Sequence, residues 1–206
     1  MAREFENDEE ILVWADSLDE RWPERFEHRT HIVEQLKGID TADLNILELC
    51  SGDGRFAREI TTALPDAHYV GLDASESLLE YARKQSQQAV TCIYADLRED
   101  NWVRLLGLDF DAVITLQSMH DVGGPEEIAF IYGLSLSLLK PGGLLLVADF
   151  MVPEDEITEK HPGRLPISWH LRIFLKTGFA EARCSLETGT LSCCIGRKPA
   201  PDREDA

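Results

Sequence analysis

Short apolar runs alternate with amphipathic stretches along most of the chain. Five of these runs predict strands, at residues 44–50, 69–72, 90–94, 110–116 and 144–150. The stretches that follow the first four runs predict helices, at 54–64, 76–87, 99–106 and 125–139. The run at 144–150 reads as fully apolar, as expected of a central strand. Strands and helices in this alternation are typical of βαβ units and of a mostly parallel sheet buried on both faces.

The pattern changes after the fifth strand. Residues 151–166 are irregular and rich in proline, and a helix is predicted at 167–177, ending before Gly178. Two further strands are predicted at 179–185 and 191–197, joined by a loop at 186–190. A short loop makes this last pair an antiparallel hairpin rather than another βαβ unit.

The first forty residues differ from the rest of the chain because they carry a helical pattern and no strand. Residues 9–37 predict one or two helices, in which Trp14, Leu18, Trp22 and Phe26 recur at a spacing of four and predict an apolar stripe. Pro23 is expected to interrupt that stripe. The predicted organisation is therefore an N-terminal helical lid or extension at 1–40, one domain at 41–198 and a disordered tail at 199–206.

Composition narrows the classes of function. The 206 residues include 20 Lys and Arg against 38 Asp and Glu, a formal net charge of −18. Such a chain repels phosphate backbones, so we expect no nucleic-acid partner. No apolar run reaches the ~18–20 residues of a membrane span, and the start is acidic, so we expect a cytoplasmic protein with no membrane partner. The five cysteines form no C-x-x-C pair, and no metal site is expected.

One stretch, Glu48 to Ala57, combines the end of a strand, a glycine-bearing turn and the start of a helix. Glycines there allow positive φ angles and a close approach of ligand to backbone. The helix start presents unpaired N–H groups that suit an anionic group. Asp73 ends the next strand and can accept hydrogen bonds from ribose hydroxyls. Cys50, within the turn, is expected to stay in an extended conformation.

These residues alone leave two kinds of nucleotide ligand open. Gly52, Gly54 and Ala57 satisfy G-x-G-x-x-A, and Asp73 stands at about the spacing of the dinucleotide fingerprint. An NAD(P)-dependent oxidoreductase on a Rossmann sheet is therefore an alternative hypothesis. A non-catalytic cofactor-binding module is another.

Several motifs in order favour a methyltransferase. The motifs are Glu48 to Gly54, Val70 to Ser75, Tyr94 to Leu97, Phe110 to Ile114, Leu138 to Leu145 and Gly178-Phe179 before the closing hairpin. From about residue 40 to residue 198 the chain resembles the class I S-adenosylmethionine-dependent methyltransferases. The resemblance implies a Rossmann-like three-layer α/β/α sandwich, with a mostly parallel seven-stranded sheet and an antiparallel last strand.

The resemblance also implies S-adenosyl-L-methionine as the cofactor and assigns roles to residues of this sequence. The implied cofactor-binding residues are Glu48, Ser51, Gly52, Gly54, Asp73, Ala74, Asp96, Leu97 and Gln117. Glu48 would face the ammonium group, Asp73 the ribose and Asp96 the adenine amino group, with Leu97 packed on the ring. The first turn and Gln117 would lie near the methionine portion.

Methyl transfer needs little covalent help from a protein, since the sulfonium is already activated and the nucleophile attacks in line. A general base is required only when the nucleophile arrives protonated. His120 follows the fourth strand, at the sheet edge where open α/β folds bind ligands, and is the candidate. The insertions are short, which favours a small-molecule acceptor. We expect a monomer or a homodimer.

Overall fold

The computed structural model describes residues 3–41, 43–86, 90–99, 101–107, 109–156 and 158–200. The helices are α1 (Asp8–Arg21), α2 (Arg25–Lys37), α3 (Arg55–Ala63), α4 (Glu76–Gln85), α5 (Met119–Val122), α6 (Pro125–Leu138) and α7 (Ile167–Thr177). The strands are β1 (Asn45–Leu49), β2 (His68–Asp73), β3 (Val90–Tyr94), β4 (Phe110–Leu116), β5 (Leu139–Phe150), β6 (Glu181–Thr188) and β7 (Leu191–Arg197). Most of the predicted tail, at 201–206, lies outside the described residues.

All seven strands form one sheet in the order β3-β2-β1-β4-β5-β7-β6. The first five strands pair in parallel, whereas β7 runs antiparallel to both β5 and β6. The chain winds outward from β1 in both directions, so β1 and β4 meet where the strand order reverses. Ligands of open α/β sheets bind beyond the carboxyl ends of the strands at such a point. The predicted Rossmann-like α/β fold is confirmed.

Helices cover both faces of the sheet, which makes three layers. On one face Ile32, Leu36, Phe56 and Ile60 of α2 and α3 pack on apolar side chains of the central strands. On the other face α6 and α7 bury the largest side chains, including Tyr132 and Phe174. Strand β4 is buried along its whole length, because it lies in the middle of the sheet with helices on both sides.

The predicted apolar stripe of the N-terminal segment is wrong. Helix α1 ends at Arg21, so Trp22 and Phe26 do not continue its face, and the Phe26 side chain is 67% exposed. The buried residues of α1 are instead Ile11 and Ala15. Pro23 separates two helices that pack on different surfaces. Apolar residues spaced by four on either side of it therefore do not share one helix face.

Two strand boundaries also differ from the prediction. Strand β6 continues to Thr188, so the hairpin turn holds only Gly189 and Thr190, with Gly189 at a positive φ of 55°. Strand β5 begins at Leu139 rather than Leu144, and an irregularity in its pairing with β4 accommodates the extra residues. Among the described residues, no helix combines the length and hydropathy that crossing a bilayer requires.

Candidate active site

A cleft of about 490 Å³ opens at the carboxyl ends of β1, β2, β3 and β4. This size lies within the range of small-molecule sites. Of the ten residues predicted from the sequence, eight line it: Glu48, Ser51, Gly52, Asp73, Ala74, Asp96, Leu97 and Gln117. The other two, Gly54 and His120, lie beside the cleft and not in its lining.

The turn after β1 is more contorted than predicted. Cys50 has a φ of 57°, so the expectation that it stays extended is wrong. Gly52 and Gly54 also have positive φ, at 56° and 72°. Gly54 begins α3, and a Cβ there would lie 2.8 Å from the Cβ of Ala82 in α4. Gly54 therefore allows two helices to approach closely, whereas Gly52 exposes backbone to the cleft.

Asp73 joins the first two βα turns. One carboxylate oxygen accepts from the Gly52 backbone N–H at 2.8 Å and the other from the Ser75 N–H at 2.9 Å. Burial raises the pKa of this carboxyl, against the lowering effect of those backbone N–H groups. Each oxygen keeps a lone pair for a further donor. Asp73 can thus shape the turn and still accept from ligand hydroxyls.

Asp96 follows the end of β3 by two residues and is paired with Arg98. The Arg98 Nε lies 2.8 Å from one carboxylate oxygen, and its Nη2 contacts the other. This pairing lowers the pKa of Asp96. Both side chains are partly exposed, and surface ion pairs of this kind are worth only ~0–1 kcal/mol, so the pair can open for a ligand.

Glu48 places a carboxyl group at the floor of the cleft with almost no access to water. The residue is 3% exposed, and the Tyr69 hydroxyl donates to its Oε2 at 2.7 Å. Burial raises the pKa of Glu48 to about 8, despite the opposing hydrogen bond from Tyr69. In the empty cleft near neutral pH this group is mostly protonated, and an adjacent cation would favour its charged form.

The N-terminal helices form one wall of the cleft. Trp14, Ala15 and Leu18 of α1 line it, together with Arg25 at the start of α2. The Arg25 Nε donates to the Asp19 Oδ1 at 2.9 Å, and its Nη1 donates to the side-chain oxygen of Gln117. Arg25 was not predicted from the sequence, because nothing local marks a residue that comes from a distant helix.

His120 is held by a buried carboxylate. Its Nδ1 lies 2.6 Å from the Asp149 Oδ1, and its backbone N–H donates to the Asp149 Oδ2 at 3.1 Å. Burial lowers the pKa of His120, but the Asp149 charge and hydrogen bond outweigh it and leave a net rise. The other ring nitrogen, Nε2, lies 3.4 Å from Asp121, which lines the cleft.

Asp149 is the functional candidate that the sequence reasoning missed. The β5 segment was read as fully apolar, yet Asp149 is in it and is 1% exposed. A carboxylate inside an apolar strand is itself a signal, since buried charges are rare unless they are paired. The residue that pairs with it, His120, was identified from its own position.

Comparison with known proteins finds similarity to methyltransferases. A family profile described as a methyltransferase domain matches residues 46–143. The chain is also 30% identical to the release factor glutamine methyltransferase of Mycobacterium leprae, over 50% of this chain and 44% of that protein. The chain thus matches less than half the length of this curated relative.

Solved structures share the fold at low sequence identity. Streptomyces venezuelae DesVI matches with a TM-score of 0.73 and 18% identity, covering 95% of this chain and all of its own. Human N-acetylserotonin methyltransferase, solved with S-adenosylmethionine, matches with a TM-score of 0.69 and 16% identity, covering 94% of this chain and 57% of its own. The matched domain, the ordered motifs and the strand order all support the resemblance of the chain to the class I S-adenosylmethionine-dependent methyltransferases.

Proposed function

We propose that this protein binds S-adenosylmethionine in the cleft and transfers its methyl group to a small-molecule acceptor. The observation that carries the proposal is the order of the polar side chains along the cleft. Glu48 of β1 and Arg25, which contacts Gln117 after β4, lie on one side of it, whereas Asp73 and Asp96 follow β2 and β3 on the other. A zwitterionic amino acid joined to a nucleoside has the matching groups: an ammonium for Glu48, a carboxylate for Arg25 and hydroxyls for Asp73.

A dinucleotide fits the same charges less well. NAD carries two phosphates and has no ammonium group to offer Glu48. The carboxylates of Asp73 and Asp96 would repel phosphates placed near them. The charge pattern therefore favours the methyl donor over the nicotinamide cofactor, although the glycine turn alone is compatible with both.

In the proposed reaction a bond forms between the acceptor atom and the methyl carbon as the sulfur–carbon bond breaks. The sulfur leaves as a neutral thioether, and positioning supplies most of the rate. When the acceptor is a hydroxyl, its proton passes to the Nε2 of His120. Asp149 orients the imidazole by accepting from Nδ1–H and stabilises the imidazolium that results.

The activities for which similar proteins are named support a small acceptor. One structural neighbour is an O-methyltransferase family protein from Burkholderia thailandensis, with a TM-score of 0.68, 18% identity and coverage of 84% of this chain. The human neighbour is named for N-acetylserotonin. The Mycobacterium relative is named for a protein acceptor, and it matches only half of this chain.

Calorimetric titration of the protein with S-adenosylmethionine, its demethylated product and NAD tests the proposal. We expect the first two to bind and NAD not to bind. Asp73→Asn should weaken binding by about tenfold or more, since hydrogen bonds to charged groups contribute ~1.5–3 kcal/mol. Thermal unfolding should accompany the titration, because Asp73 also holds the backbone of Gly52 and Ser75.

The matched control is Asp66→Asn, an exposed carboxylate just before β2, which should leave the affinity unchanged. Binding of NAD alone, without either adenosyl compound, would overturn the proposal. So would full retention of affinity in a correctly folded Asp73→Asn variant.

A further inference from the structure

Arg164 is a half-buried cation with no ion-pair partner among the residues that the structure describes. It lies in the segment between β5 and α7, and its Nε is buried with no hydrogen-bond acceptor among the described residues. No carboxylate among those residues lies within ion-pair distance of its guanidinium group. Three arginines near the cleft differ from it, because Arg25, Arg29 and Arg55 are each paired with Asp19.

Arg164 and His120, the proposed base, lie beside the same aromatic side chain. Its Cζ lies 4.7 Å from the centroid of the Phe150 ring. The His120 ring lies 4.8 Å from the same centroid, in an edge-on arrangement, and the Trp22 ring lies 5.2 Å from it. The guanidinium and the imidazole are thus neighbours of one aromatic ring.

The surrounding charges leave the positive charge of Arg164 uncompensated. Asp149 is already engaged by the His120 ring and by the backbone N–H groups of His120 and Phe150. Asp121 lies on the cleft side of His120, but its side chain is 83% exposed, so water screens its charge. A half-buried guanidinium that lacks an acceptor gains free energy from any anion that can reach it.

We propose that Arg164 binds a carboxylate of the methyl acceptor, and that the acceptor is an aromatic hydroxy acid. The hydroxyl would face the Nε2 of His120, the ring would lie beside Phe150 and Trp22, and the carboxylate would meet the planar fork of the guanidinium. This inference rests on the proposed function. It adds the chemical class of the acceptor and a residue that selects it.

The test is a binding measurement that needs no turnover. The protein is saturated with the demethylated cofactor product and titrated calorimetrically with 4-hydroxybenzoate and with its uncharged analogue 4-hydroxybenzamide. We expect the carboxylate probe to bind about tenfold more tightly or better, as for a charge-assisted bidentate pair. In Arg164→Gln we expect the two probes to bind equally, with affinity for the amide unchanged.

Two further variants complete the design. Arg164→Lys keeps the charge without the fork and should retain only part of the preference. Arg172→Gln removes an exposed cation of α7 and should retain all of it. Equal affinity of the two probes for the unmodified protein, or an unchanged preference in a folded Arg164→Gln variant, overturns the inference.

The same titration separates this inference from the function on which it rests. If the demethylated product itself fails to bind, both the proposed function and the inference are overturned. If it binds and the probes are not distinguished, only the acceptor class is wrong.

Discussion

At the scale of single residues, Glu48 shows how one buried carboxyl group can lower the stability of the fold at high pH and still favour binding of a cationic ligand. Folding buries the carboxyl and raises its pKa from 4.5 to about 8. A group whose pKa is raised by folding stabilises the fold fully below its unfolded-state pKa. That contribution is lost as the pH rises through about 8, at ~1.4 kcal/mol for each pKa unit. A charged Glu48 is therefore costly in the empty protein and favourable beside an ammonium group.

We predict that Glu48→Gln stabilises the empty protein against heat above pH 8 and weakens binding of S-adenosylmethionine. The amide can still accept from Tyr69 but cannot take a charge. Calorimetry at pH 6.5 in two buffers of different ionisation enthalpy measures the protons released on binding. The unmodified protein should release about one proton and the variant none; equal proton release from both would contradict this account of Glu48.

For the base, we predict a pH-dependent rate set by Asp149. The methylation rate of a hydroxyl acceptor should rise with pH through the raised pKa of His120, above 6.5, because only the neutral imidazole accepts a proton. In Asp149→Asn the pKa of His120 should fall below 6.5, since burial then acts without the compensating charge. The ascending limb of the rate profile should move to lower pH while the maximal rate falls.

A merely structural role for Asp149 would lower the rate without moving that limb. His120→Gln should lose most of the activity while S-adenosylmethionine still binds. Undiminished turnover in His120→Gln would remove this residue from the mechanism.

The sequence could identify Asp73 and Asp96 because each follows a recognisable strand, and the ends of adjacent parallel strands share one edge of the sheet. It could not identify Arg25 or Arg164 in the same way. The importance of these two depends on tertiary contacts that no local pattern shows, with Gln117 and Phe150 respectively. Cys50 was misjudged because its left-handed conformation is unusual for any residue but glycine.

At the scale of elements, Asp19 connects the N-terminal helices to the cleft. It accepts from Arg25, Arg29 and Arg55, which lie on α2 and α3. Burial would raise its pKa, but the hydrogen bonds and charge of Arg29, with those of the other two arginines, lower it to about 2. Through Arg25 this carboxylate sets the wall at the methionine end of the proposed site.

We predict that Asp19→Asn lowers the free energy of unfolding by about 1–2 kcal/mol at pH 7 and weakens cofactor binding, since Arg25 loses its partner. A depressed pKa contributes stability that is present above the unfolded-state value and lost as the pH falls through about 2. Denaturant unfolding should therefore show the difference from the unmodified protein shrinking between pH 3.8 and 2. A difference independent of pH would contradict the assignment; Asp16→Asn, at a more exposed carboxylate, is the control.

Elements with a clear hydrophobic pattern and clear residue signals at their ends were predicted well. Strand β4 and helix α7 have the predicted bounds. Helix α7 ends at Thr177 because Gly178, which follows it, takes a positive φ. The boundary of β5 was wrong because Leu139 already pairs with Phe110 of β4, ahead of an irregular stretch in which Gly142 has a positive φ of 81°. Local propensity gives way to tertiary pairing at such positions.

At the scale of the molecule, the fold follows from alternation along the chain, and the site follows from the fold. Winding outward from β1 brings the ends of four parallel strands to one edge, which is why residues as distant as Glu48 and Gln117 line one cleft. The sequence could predict that convergence. It predicted an N-terminal helical lid or extension but not which of its residues line the cleft, since the docking of these helices depends on ion pairs such as Arg55–Asp19 between separate elements.

The most direct measurement is a crystal structure of the protein with the demethylated product of S-adenosylmethionine. We predict the ribose at Asp73, the adenine beside Asp96 and Leu97, and the amino-acid portion between Glu48 and Arg25. A product bound outside this cleft, or bound in it with the amino-acid portion directed away from Glu48 and Arg25, would contradict the account.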